Sequence, residues 1–489
     1  MRKAFDSQLR LDCCPASQVQ LNLSCRDEII PVLGALQHIY SQPNLRDEIL
    51  ELVARDVNGK SNSRCGREGL DYWEILVLAA VRLGCNLNYD KLQDLAENHR
   101  ALRHMMGIGD WDEKKSFDWR RIQDNLCKVR SQTVEKINHL IVAEGHRLEP
   151  KAAESVRADS FVIETNIHYP TEGSLIRDGL RKILQLGAAL AKLLKQKGWR
   201  QHKQLYKTTK KLAREIGRIA ARKGKDYKER LQVAYRKLLD FSGEIVSRAN
   251  DLLDVAAKRC GANLQILALH QELKVFLQRT EQVRSTARRR VLEGEQVPNN
   301  EKLFSIFETH TQLYKRGKAA KPMQFGRLAM VYEDAAGFIC HYHLPSREAQ
   351  DREVVVAQTR IVQDRLGGRI RQASFDRGFH SPENQSELAK IIAHPCLPIP
   401  GKKGQQQAKE ASVEFRQARQ RHPGVESAIG ALQSGNGLVR SRDRTEPGFE
   451  RYLGIGILGR NLHVLGKLLI ARQHALSPAA LSRRGQSAA

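Results

Sequence analysis

Between residues 27 and 56, apolar side chains return every three or four positions: Ile30, Val32, Leu33, Leu36 and Ile39, then Leu45, Ile49 and Leu52. That period predicts amphipathic helix, because 3.6 residues per turn bring such positions onto one face. Residues 58–69 are polar and glycine-rich and read as a loop. Asp71 is placed to cap a strongly apolar helix over 72–83, and Asn88 a second over 89–97. A short helix over 100–106 and a long one over 119–144 complete a helical unit over 27–150. Residues 1–26 carry little pattern and are expected to form a flexible arm.

The period then changes. VRADSFVI (156–163) reads as a strand that holds Asp159 within it, running on through 164–167 and stopping near Pro170. From 179 to about 293 no strand signal appears. Leu231, Tyr235, Leu238, Ile245, Ala249 and Leu252 take alternating three–four steps, with Ser242 the one polar position of the seam. Leu205, Leu212, Ile216 and Ile219 do so less completely, and Gly224 lies between the two runs. Two long antiparallel helices over 180–295 are the simplest fold for this, a hairpin inserted between 151–179 and 296–475. Beyond it, alternating positions in 305–318 lead to a basic turn. Strands over 326–332 and 338–344 flank a tight turn at 334–337, an antiparallel hairpin. A helix over 351–366, a strand over 370–376, a helix over 382–390 and a strand over 391–398 follow. Next come a helix that starts at the Pro423–Gly424 break and a last one over 450–473, apolar enough to pack on the sheet. Residues 476–489 are expected to be disordered. This order predicts an α/β mixed sheet with helices on both faces, the layout of a ribonuclease H-like domain, joined to an all-α amino-terminal domain and a long α-helical insertion.

Charge adds a partner. The 489 residues carry 81 Lys+Arg against 55 Asp+Glu, a net of +26, and phosphate neutralisation with counterion release makes nucleic acid the partner such an excess favours. Residues 191–240 hold 17 Lys+Arg and 4 Asp+Glu, half of that net charge. A solvated helical face accounts for most charge runs, but an imbalance this large repels itself unless phosphates neutralise it. Lys207, Lys210, Lys211 and Arg214 are the candidates there. In the helical unit, Lys91, Arg100, Arg103, Arg120 and Arg121 are expected to be exposed, as in a helix-turn-helix reader of DNA, although helical bundles of other function share this pattern. No apolar run approaches the roughly 20 residues of a membrane span. The start, MRKAFDSQLRLDC, lacks a signal peptide's apolar core. The nine cysteines are scattered without a CxxC, which favours reduced thiols in the cytoplasm, here with the nucleoid.

The candidate chemistry sits in RQASFDRGFHSPEN (371–384), where an apolar-leaning run ends on Asp376 and Gly378 and Pro382 break regular structure. Alone, Asp376 reads as the cap of the next helix rather than as a ligand. With Asp159 in a strand and Glu426 early in a helix, it completes three carboxylates of the kind that hold two divalent cations for phosphodiester chemistry. Glu164, Glu172, Asp178 and Glu383 are alternatives that lack strand context or motif. His341 and His343 alternate on one strand without a third ligand and read as surface or core residues rather than a zinc site.

Five stretches carry a resemblance: ADS at 158–160, SIFETHTQLYKRGK at 305–318, FDRGFHS at 375–381, VESAIGAL at 425–432 and NLHVLGK at 461–467. In this order they resemble the DDE transposases of bacterial insertion sequences, over 155–178 and 300–470, with 27–145 similar to the DNA-binding domain such enzymes carry. Each motif alone is weak and five in order are specific. The resemblance implies that Asp159, Asp376 and Glu426 bind two Mg²⁺, with Mn²⁺ as substitute, about 3.5–4 Å apart. Water then frees a DNA 3′-hydroxyl at the element's end, and that hydroxyl attacks target DNA. Arg377 and His380 would position the scissile phosphate, and Lys315, Arg316 and Lys318 would hold flanking double-stranded DNA. A homodimer on paired element ends is implied, with no membrane. The chain departs from the pattern in having Gln433 where relatives often place a Lys, and Arg419 and His422 where they place a Tyr and an Arg; Arg421 is the neighbouring candidate for the phosphate contact. A domesticated DNA-binding protein without catalysis, and a DDE nuclease that never joins strands, are the competing readings.

Overall fold

The computed structural model describes residues 2–5, 10–59, 69–112, 115–259, 263–315, 322–347, 349–399, 410 and 412–476. The chain divides into two compact units, one formed by 1–164 with 328–489 and the other by 165–327. The expected tail over 476–489 apart from Leu476, the turn residues Arg316 and Lys318, and most of the expected loop over 58–69 lie outside the described residues.

The first unit begins with seven helices: α1 Ile29–Tyr40, α2 Pro43–Asn58, α3 Tyr72–Gly84, α4 Tyr89–Asn98, α5 Arg100–Met105, α6 Trp119–Leu126 and α7 Ser131–Leu148. Asp71 and Glu74 close a capping box on α3, and Asn88 accepts from the Lys91 amide at the start of α4. The single helix expected over 119–144 is two. It breaks because the Cys127 carbonyl accepts from Arg451 at 3.1 Å and the Arg130 amide donates to Asp56 at 2.8 Å, tertiary contacts that compete with helix continuation. The arm is also corrected. Tyr72 and Trp73 donate backbone bonds to Lys3 and Ala4, and Arg10 pairs with Asp12 at 2.7 Å and Asp112 at 2.6 Å.

A mixed, curled sheet follows, with strands β1 Ser155–Glu164, β2 Gln312–Tyr314, β3 Gln324–Asp334, β4 Ile339–His343, β5 Gln372–Phe375 and β6 His394–Cys396. The order is β2-β3-β1-β5-β6, with β4 on β3. β3 and β4 form the expected antiparallel hairpin, whose turn ends on Gly337 at φ +92°, a left-handed conformation that glycine adopts without penalty. β5 runs parallel to both β1 and β6. Helices α12 Asp351–Arg365, α13 Pro382–Ile391, α14 Val413–Arg421, α15 Pro423–Ser434 and α16 Glu446–Leu476 complete the first unit, while β2 and residues 324–327 of β3 count with the second.

α16 is the helix around which the unit is built. Among the described residues it alone is long and apolar enough, by length and composition, to cross a membrane, and 61% of that apolar window is buried inside the protein. Arg460 and Asn461 interrupt its apolar run, so counting uninterrupted residues does not find it. Expected against the sheet, it packs mainly on α1, α3 and α7. A Cβ on Gly466 would stand 1.8 Å from the Pro31 carbonyl oxygen, and one on Gly459 2.5 Å from the Gly84 nitrogen. Asn461, fully buried, bonds the amide and carbonyl of Ile339 in β4 and the side chain of Asn138 in α7. One continuous apolar core therefore runs from Val32 and Leu78 through Leu458 to Val331 and Phe375. The boundary expected near 150 divides no compact units.

His341 is buried in this core. Its Nδ1 accepts from Arg365 at 2.9 Å and its Nε2 faces Gln358 at 2.8 Å, and burial pushes its pKa down to about 3. Between pH 6.5 and 3 the unfolded chain binds a proton there that the folded chain refuses, so the stability His341 confers is complete above pH 6.5 and lost on acidification. Urea unfolding should show His341 costing about 2 kcal/mol at pH 5 relative to pH 7. A His341→Gln variant should lack that increment; equal pH slopes in the two proteins would contradict the assignment.

The second unit is corrected from a two-helix hairpin to four helices, α8 Glu172–Leu193, α9 His202–Arg222, α10 Tyr227–Ala257 and α11 Leu264–Ala287. The predicted seam is present: Tyr235, Leu238, Ser242, Ile245, Ala249 and Leu252 of α10 are buried, with Ile216 of α9. Leu180, Ile183 and Leu190 of α8 and Leu273 and Leu277 of α11 close the same core.

Candidate active site

Strand register decides what can meet. β1 and β5 pair in parallel with Arg157 opposite Ser374 and Ala158 opposite Phe375, the last pair of the register, and Asp159 and Asp376 are the residues that follow it on each chain segment. Side chains alternate across a strand, which puts Arg157 and Asp159 on one face with Ser374. On the opposite face Phe375 is fully buried, and Ser160 donates to Asp351 of α12 at 2.6 Å.

The joint between α14 and α15 lies on the first face. Arg157 donates to the Arg421 carbonyl at 2.9 Å, and His422 Nδ1 lies 3.1 Å from the Ser374 hydroxyl. α15, with Glu426 in its first turn, packs on β1. Burial holds His422 below its usual pKa, while Asp376 and Glu426 both pull it upward and Arg419 and Arg157 oppose them. Both carboxylates therefore lie within electrostatic reach of one imidazole.

Asp159 is half-buried and accepts from the Ser160 amide at 2.7 Å. Asp376 is exposed and accepts from the Arg377 amide at 2.7 Å, capping the short turn Arg377–Phe379. The capping reading of Asp376 is therefore met. Glu426 is exposed, and among the described residues neither it nor Asp376 forms an ion pair. No group of three or more His, Cys, Asp or Glu is poised to hold a metal ion among the described residues. The donor set fits a hard divalent cation in chemistry, being all carboxylate oxygen and open to solvent at two of three positions.

The flanking candidates divide between the units. Arg377 is exposed beside Asp376, His380 is half-buried after the same turn, and Arg421 is exposed at the end of α14. Lys315 is exposed after β2 in the second unit, whereas Arg316 and Lys318 lie outside the described residues. Lys207, Lys210, Lys211 and Arg214 are exposed on α9 and line one shallow concavity of about 480 Å³ with Arg218. Arg218 is an addition to the sequence-derived set, and its spacing of four from Arg214 marks the same helix face. In the helical portion, Arg103 is corrected from an exposed cation to a half-buried one that donates to the Glu97 and Asp112 carbonyls at 3.0 and 2.8 Å. Among the alternative carboxylates, Glu164 pairs with Arg440 at 2.8 Å, Asp178 with Arg177 at 3.2 Å, and Glu172 with Arg290. Arg157 is a second addition. Its signal is an arginine inside a strand, two residues before Asp159 and hence on the same face.

No protein family, curated protein or solved structure matches this chain.

Proposed function

We propose that the chain is a DDE transposase that binds the ends of a mobile element and cuts and joins DNA with Asp159, Asp376 and Glu426. The observation that supports this reading is the parallel β1–β5 register, whose last pair is followed by Asp159 on one segment and Asp376 on the other, with the Glu426 helix packed on β1. These residues are 217 and 50 positions apart in the chain, so only the fold, not local sequence, could bring them together. The strand order β4-β3-β1-β5-β6, antiparallel at the hairpin and parallel around β5, supports a ribonuclease H-like sheet.

Bound between the three carboxylates, two divalent cations would supply activation of the attacking oxygen and stabilisation of the leaving one. The chain's own groups position the substrate. Arg377 and Arg421, both exposed near the carboxylates, offer donors to the phosphates flanking the scissile bond. His380 follows the same turn as Arg377 and is half-buried. The face of α9 and Lys315 supply further cations for backbone contact without base reading.

The α9 contribution is measurable by itself. Replacing Lys207, Lys210, Lys211 and Arg214 with Gln should weaken binding to all DNA sequences alike. The log–log salt dependence should flatten by about one unit for each phosphate that the variant no longer neutralises. An unchanged slope would leave α9 as a structural element. For the function as a whole, full-length protein should nick a plasmid carrying the reading frame's own flanking DNA in Mg²⁺ and not in EDTA. Binding without nicking would instead favour a decayed, non-catalytic relative.

A further inference from the structure

We propose that Arg157 is a positioning residue, whose guanidinium fixes where the helix carrying Glu426 sits over the strand carrying Asp159. The inference rests on the reading of these carboxylates given above and adds a part to it. Arg157 makes two bonds in different directions. One Nη donates to Glu333 on β3 at 2.7 Å, where the Glu333 side chain is 4% exposed. The other donates to the Arg421 carbonyl at 2.9 Å, at the joint of α14 and α15. A helix's last carbonyls have no partner within the helix, so this bond satisfies an acceptor that would otherwise need water. Glu333 is held in turn by Arg460 of α16 at 3.9 Å. The guanidinium is therefore anchored to the sheet on one side and grips the helix joint on the other.

Gly424 shows how close that grip is. A Cβ there would lie 1.9 Å from Arg157 Nη1 and 2.7 Å from its Cζ. The guanidinium fills the space that any other residue's side chain would occupy. Gly424 precedes Glu426 by about 3 Å of helix axis, and Arg157 precedes Asp159 by about 7 Å of strand. A displacement at this contact therefore reaches both ligands with little chain between to absorb it. Ligands must be held to about 0.5 Å for a working site, whereas a Cβ at Gly424 would force a shift of roughly 1 Å or more, the difference between that approach and ordinary contact, or break one of the two Arg157 bonds. Lysine cannot replace the fork, because a single ammonium on a flexible stem does not span two fixed acceptors in diverging directions.

Mn²⁺ binding to the full-length protein, read from the free-ion electron paramagnetic resonance signal, tests this. Arg157→Lys keeps the charge beside Glu333, and Gly424→Ala keeps the helix, so both should fold. Each should raise the Mn²⁺ concentration for half-saturation about 10-fold, the size of effect expected from a residue that orients a ligand. Excess Mn²⁺ should restore activity in both but not in Asp159→Asn. The double variant should be no weaker than Arg157→Lys alone, since the shorter side chain frees the space that the added methyl group needs. Wild-type Mn²⁺ affinity in both single variants, with binding lost in Asp159→Asn, would overturn the positioning role and leave the carboxylate reading standing. Effects that multiply to about 100-fold in the double variant would also overturn it, by showing that the two residues act separately. Equal Mn²⁺ binding by wild type and Asp159→Asn would instead remove the carboxylate reading, and the positioning role with it.

Discussion

Asp159→Asn, Asp376→Asn and Glu426→Gln should each reduce strand cleavage and joining in Mg²⁺ by about 10³-fold or more, as expected when the charge holding a catalytic cation is removed. Each amide keeps the shape of the acid it replaces. Asp376→Asn retains an oxygen to accept from the Arg377 amide, so its short capped turn should persist. Asp376 and Glu426 are exposed, and unfolding midpoints of their variants should stay within about 0.5 kcal/mol of the parent. Under the proposed function DNA binding should survive in all three, because it draws on the amino-terminal helices and the α9 face. Loss of DNA binding in all three would point to a folding defect or a pure binding role. Full cleavage by Glu426→Gln would remove that residue from the site and make Glu383, exposed in the first turn of α13, the next candidate.

The segment 1–150, expressed alone, should fail to fold. Its α1 and α3 lean on α16 through Pro31–Gly466 and Gly84–Gly459, contacts too close for any side chain. Arg82, 1% exposed in α3, pairs with Asp443 at 2.6 Å, and Arg451 approaches the same carboxylate at 3.5 Å. Removing one partner of a buried pair costs about 3–5 kcal/mol, against a total stability of about 5–15 kcal/mol for a typical domain. A fragment that loses Asp443 and the α16 core together loses more than that margin. In the full chain, Arg82→Ala should lower stability by about 3–5 kcal/mol, and Gly466→Ala by about 1–3 kcal/mol. Cooperative thermal unfolding of the 1–150 fragment with native helix content would contradict this and restore an independent amino-terminal domain.

That second prediction opposes what the hydrophobic pattern suggests, and the difference shows what a pattern encodes. Period and caps locate α3 to α5, the β3–β4 hairpin and the start of α15 within a few residues, because each rests on local chemistry: Asp71, Asn88, Gly337, Pro423. They also put Asp159 in a strand and Asp376 at a strand end. Periodicity says which face is buried, not what buries it. Hence the pattern sends α16 to the sheet when its glycines fit α1 and α3, and gives the seam on α10 one partner helix when α8 and α11 share its core. The break at 127–130 comes from Asp56 and Arg451, distant in sequence, and no local signal marks it. α14 is short and polar, with Ala418 its one buried residue, so it has no stripe to read. Within the candidate site the carboxylates are legible by type and context, whereas Arg157 gains its meaning from the Arg421 carbonyl, a contact only the fold creates.

The most direct measurement uses a labelled duplex that ends in the element's own terminal sequence with a free 3′-hydroxyl, incubated with target plasmid and full-length protein. The account predicts covalently joined product in Mg²⁺ or Mn²⁺, none in EDTA and none with Asp376→Asn. Joining at the wild-type rate by Asp376→Asn, or no joining by a wild-type protein that binds the duplex in Mg²⁺, would contradict it.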